Sequence, residues 1–212
     1  MRSISVAAAV LLSLCAAGAH AQATSTRAIW NDPNGSGWQC QNYTCLDAVM
    51  RRTGASTEAI QMAYRLQGVR GNSPAWLSQI YRFGPMDVLV YDCANCRMGG
   101  FAVVHGPSSV FADTFMLETA DNAMRGDRAF MARHPNALFT RYGERFVGVR
   151  PLTGGGRQFL FVNAIADCEA CRPFGAIEFF LNFDGRGDPH ERGVLSFVPA
   201  SMAEHGVSPP GH

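Results

Sequence analysis

Six cysteines beyond the N-terminal leader are the residues of this chain best suited to chemistry: Cys40, Cys45, Cys93, Cys96, Cys168 and Cys171. Four of them form two Cys-x-x-Cys pairs inside one longer motif, Asp-Cys-x-x-Cys-Arg, at residues 92–97 and 167–172. Such pairs can bind zinc as thiolates, exchange with other dithiols, or lock a corner as disulfides. Covalent haem attachment needs a histidine directly after the second cysteine. Arg97 and Arg172 stand there instead, which excludes it. A redox pair normally opens a helix, whose N-terminus lowers the thiol pKa. Here Gly99-Gly100 follows one pair and an apolar run follows the other, so both are expected at β corners. Asp92 and Asp167 precede the pairs and would oppose thiolate formation, whereas the following arginines would favour it.

The compartment decides among these chemistries. Residues 1–21 read as an export signal: Arg2, an apolar core over 6–17, and Ala19-His20-Ala21 before Gln22. That core is shorter than the roughly 20 residues a membrane span needs, and no later stretch is long and apolar enough. A periplasmic or secreted location is therefore expected, with a protein anchored through Cys15 as the alternative. Leu14 is large where an anchor motif needs a small residue. Behind a leader the thiols should oxidise. Spacing favours three local bridges, Cys40–Cys45, Cys93–Cys96 and Cys168–Cys171, that fix corner shapes. No cofactor is expected. A redox or metal-binding protein using Cys93, Cys96, Cys168 and Cys171 is the alternative.

A second constellation lies at His105, Ser108, Ser109 and Asp113, which supplies the residue types of a hydrolytic triad. No Gly-x-Ser-x-Gly elbow accompanies it. Hydrolysis by His105 with Ser108 or Ser109 is a further alternative, and the chain leans away from catalysis. Residues 31–35, Asn-Asp-Pro-Asn-Gly, resemble half a calcium loop without its closing acid. Arg186-Gly187-Asp188 is expected on a turn, and Asn42-Tyr43-Thr44 fits a glycosylation acceptor.

The positioning elements follow from periodicity. Residues 22–37 read as a loose polar lead-in. Residues 45–53 have helical character, and 57–67 form a clearer helix, capped by Thr57 with Ile60, Ala63 and Tyr64 on one face. Ser73-Pro74 is expected to open a third helix that presents Leu77, Ile80 and Tyr81 and ends at Gly84. Residues 88–91 and 101–104 flank the first Cys-x-x-Cys as hairpin strands, and 110–112 are expected as a further short strand. A short helix over 127–133, capped by Asp127, precedes a strand at 146–149. The clearest hairpin joins 159–166, apolar on both faces, to 176–183. In the latter Ile177, Phe179, Leu181 and Phe183 share one face. Residues 194–198 return as a strand, and 201–212 read as a disordered tail. The expectation is one α+β domain over 22–200, a mainly antiparallel sheet with about three helices beside it. The two similar hairpins raise the possibility of a duplication.

All 18 basic residues are arginine, and with Arg2 in the leader the remainder balance 17 acidic residues. A near-neutral chain lacks the bulk attraction that nucleic acid or anionic membrane requires.

The second hairpin, FVNAIADCEACRPFGAIEFFLNFDGRG, resembles a pattern in uncharacterised exported bacterial proteins, in which a strand, a Cys-x-x-Cys corner and a second strand close the domain. That resemblance brings no activity with it. Lysozyme inhibitors of the Ivy type also present a disulfide loop between strands, with four residues between the cysteines and a central histidine. Cys40 to Cys45 has that spacing but encloses Gln41, Asn42, Tyr43 and Thr44. The function expected is therefore a non-enzymatic binding module of the cell envelope, its partner a protein or another envelope component.

Overall fold

The computed structural model describes residues 24–70, 73–94, 99–105, 108–111, 113–168 and 170–201, with the side chains of 68–70, 108–111, 113–117 and 141–143 left aside. The expected leader, Cys96 with Arg97, and the expected tail beyond 201 lie outside these residues. The first sheet runs β1 (Ala75–Phe83), β2 (Met86–Cys93), β3 (Gly100–His105) and β4 (Ser108–Phe111), in that order. The second runs β5 (Leu138–Pro151), β6 (Arg157–Ala166), β7 (Gly175–Phe183) and β8 (Pro189–Pro199). Every pairing is antiparallel. Helices α1 (Tyr43–Arg52) and α2 (Thr57–Arg70) precede the first sheet, and α3 (Asp113–Gly126) and α4 (Arg128–Arg133) join the two. The α+β class is as expected, with two four-stranded sheets in place of one.

The sheets pack face to face through aromatic side chains. Phe101 of β3 meets Phe161 of β6 at 5.5 Å between ring centroids. Phe83 meets Phe159 at 6.0 Å, and Tyr81 meets Phe146 at 5.7 Å. Alternation along β7 sends Ile177, Phe179, Leu181 and Phe183 into this same core, as the sequence pattern requires. Alternation along β2 sends Leu89, Tyr91 and Cys93 the other way, into a layer shared with Met62 and Leu66 of α2. The order of layers is helices, first sheet, second sheet, with α3 reaching β8 and Phe130 of α4 joining the inter-sheet core. Arg157, at the start of β6, donates to the carbonyl of Phe83 and so ties the second sheet to the β1–β2 turn.

Three local expectations are corrected. Ser56 rather than Thr57 caps α2, its hydroxyl accepting from the Ala59 amide at 3.0 Å. Residues 75–83 form strand β1, not a helix. Its pairing with β2 skips a residue between Leu77 and Gln79, which resets the two-residue alternation. Leu77 and Ile80 therefore share the α2-facing side despite their three-residue spacing. That spacing imitates a helical face. The lead-in is also not loose. The Trp30 amide donates to Leu77 O along the outer edge of β1, and the Thr24 amide donates to the buried Asp87 carboxylate at 2.7 Å. Pairing along that edge covers backbone groups that would otherwise be open to another chain.

Candidate binding surface around the tryptophan cluster

The residues singled out as disulfides are placed as follows. Cys40 is bonded to Cys45 and Cys168 to Cys171, with Cα separations of 5.4 and 5.0 Å. Cys93 is disulfide-bonded as well, and its expected partner Cys96 lies outside the described residues. The Cys168–Cys171 corner follows β6, away from any helix start. Cys93 lies in the layer beneath α2, on the face of the first sheet turned away from the second. The first sheet thus separates Cys93 from the Cys168–Cys171 corner. Among the described residues no three His, Cys, Asp or Glu side chains converge as a metal site would require.

His105 ends β3 directly opposite Ser108, while Ser109 pairs with Val104. Pairing puts Ser108 on the His105 face and Ser109 on the other. The side chains of Ser108, Ser109 and Asp113 lie outside those the structure describes. The imidazole of His105 lies over Gly187 so closely that a Cβ there would stand 2.5 Å from the ring. Gly187, at φ +86°, must be glycine on both grounds. It belongs to the Arg186-Gly187-Asp188 turn, which Asp184 organises by accepting from the amides of Arg186 and Asp188 at 2.9 and 3.0 Å.

A feature that residue spacing did not reveal is the meeting of all three tryptophans. Trp76 of β1 is buried, with Trp30 edge-on at 5.5 Å and Trp38 edge-on at 5.1 Å. Trp30 is also buried, and its indole N–H donates to the Thr53 hydroxyl at 3.2 Å. Trp38 keeps 42% of its surface exposed. Two carboxylates adjoin the cluster. Asp32 accepts from the Gly37 amide at 3.0 Å, and its other oxygen is buried without a hydrogen bond. Its φ of +39° is unusual for a non-glycine residue. Asp92 pairs with Trp76 across β1–β2. Burial pushes its carboxyl above the ordinary aspartate range, a hydrogen bond from Ser78 works against that, and the charge of Asp32 adds to the rise.

The local sequence explains why this surface is held still. Asn42 caps α1 by accepting from the Cys45 amide at 2.9 Å, and the Cys40–Cys45 bridge then fastens the chain before the helix to its first turn. The Gly35 amide returns to Asp32 O at 3.1 Å. Gly37 has no room for a Cβ, which would stand 2.9 Å from the Trp30 ring. The half calcium loop of the sequence is thus a turn built around one tryptophan and leading to another. The signal present in the sequence is the tryptophans themselves, at positions 30, 38 and 76. No protein-family model, curated protein or solved structure matches this chain.

Proposed function

We propose that the protein is an exported, disulfide-stabilised binding module of the cell envelope rather than an enzyme. The observation that carries this reading is the state of the cysteines: all five that are described beyond the leader are disulfide-bonded. An oxidised set of this kind is what an oxidising compartment produces. Bonded sulfurs have no thiolate to offer a metal, and the Cys168–Cys171 corner follows a strand rather than opening a helix that would lower a redox thiol's pKa, which weighs against the alternative built on Cys93, Cys96, Cys168 and Cys171. The pairing of His105 with Ser108 lends some support to hydrolysis. The close packing of the His105 ring on Gly187 favours a structural role for it instead.

The test is expression with the leader in a Gram-negative host. The expected product begins at Gln22, is recovered from the periplasmic or culture fraction, and yields no thiol before denaturation. Two or more free thiols in the native protein, or retention of the uncleaved chain in the cytoplasm, would overturn the reading.

A further inference from the structure

We infer that the stretch around Trp38 is a binding site for an uncharged glycan chain, an inference that rests on the binding-module reading and specifies its partner. The indole of Trp38 is 42% exposed, yet its edge-on contact with the buried Trp76 holds it in place. An exposed, immobilised aromatic face matches the apolar C–H face of a pyranose ring, at little cost in conformational freedom on binding. The same pinned stretch also exposes the amides Asn31, Asn34, Gln39 and Gln41. Each offers both donors and acceptors, as hydroxyl and acetamido groups require.

Charge narrows the ligand further. Between Arg27 and Arg51 the only charged side chains are Asp32 and Asp47. Asp32 is committed to the Gly37 amide, and Asp47 is bridged to Arg51 at 2.8 Å. An anionic ligand finds no cation on this stretch. The two carboxylates of the stretch are engaged, while Asp92 beside Trp76 is held towards its neutral form by burial. A protein partner fits less well. Specific protein interfaces bury about 800 Å² on each side around a cluster of anchors, whereas Trp38 is the only large exposed hydrophobic residue on this stretch. A single exposed indole has about the dimensions of one sugar ring.

The test uses the full exported chain with its disulfides intact. Pelleting with chitin, cellulose and purified peptidoglycan is combined with tryptophan fluorescence during titration with soluble chito-oligosaccharide. Saturable binding to at least one glycan is expected, unchanged between about 0.05 and 0.5 M salt because no ion pair is formed. Chitin without cellulose would assign the amides to acetamido groups, and both together would assign them to hydroxyls. Trp38→Ala should weaken binding about tenfold or more with an unaltered melting temperature, and Trp38→Phe should restore part of it. No saturable binding to any of the three glycans overturns the inference, as does a Trp38→Ala variant that binds like the parent. Binding to peptidoglycan that disappears after protease treatment of the matrix assigns the site to a protein and overturns it too. None of these failures touches the thiol titration, so the export reading stands or falls separately.

Discussion

Asp92 is a residue whose charge costs the fold stability. Its carboxylate sits beside Trp76 with Asp32 near enough to repel it, and burial raises its proton affinity in the folded chain. The folded state therefore holds the Asp92 proton more tightly than the unfolded chain does. The stability linked to that proton is fully present below the unfolded pKa, about 3.9, and is lost as pH rises through the folded one. Asp92→Asn removes the charge but keeps a hydrogen-bonding group for Ser78. Thermal melts should show the variant more stable than the parent at pH 7, with the difference closing towards about pH 3, where the parent carboxyl is protonated. A constant difference across that range would mean that packing, not charge, sets the effect.

The turn between β7 and β8 shows the opposite sign at the scale of an element. Asp184 accepts from the Asp188 amide and then from Arg186, and these bonds hold its carboxyl below the usual aspartate range. The contribution is present above the unfolded pKa and is lost as pH falls through the lowered folded one. Asp184→Ala should lower the melting temperature at neutral pH and converge with the parent in acid. The same variant should loosen Gly187 beneath His105, read as increased hydrogen exchange at residues 186–188. Elements differ in how openly the sequence declares them. Strand β6 is legible as an unbroken apolar run bounded by turns, and β7 by its unbroken alternation of bulky apolar residues. Strand β1 is not, since the irregularity at Leu77–Gln79 turns a two-residue period into an apparent helical one. Helix α3 has near its start Phe115, Met116 and Leu117, three consecutive apolar residues that display no helical period. The tryptophan cluster is illegible for a different reason: it joins a turn, a loop and a strand, and no local period encodes a contact between segments that far apart.

At the scale of the whole molecule, the question is whether the bridges or the inter-sheet core holds the fold. Each bridge closes a short loop, Cys40–Cys45 spanning five residue steps and Cys168–Cys171 three. Closing so short a loop restricts the unfolded chain by only about 2 kcal/mol. Phe161, by contrast, is fully buried and in ring contact with Phe101, Phe146 and Phe179, so it joins three strands of two sheets at one point. Truncating such a side chain costs about 3–5 kcal/mol, because the sheets cannot close over the gap. Denaturant unfolding of the oxidised, reduced and Phe161→Ala proteins ranks the two sources. The Phe161→Ala protein should lose more stability than removal of either bridge alone. The reduced protein should keep its far-ultraviolet circular dichroism while losing order at the corners. In that case a bridge acts on its own loop, and reduction should abolish whatever the Trp38 stretch binds before it unfolds the sheets. If reduction unfolds the sheets at the same denaturant concentration at which binding is lost, the bridges are part of the global fold and the division between a rigid core and locally fastened loops is wrong.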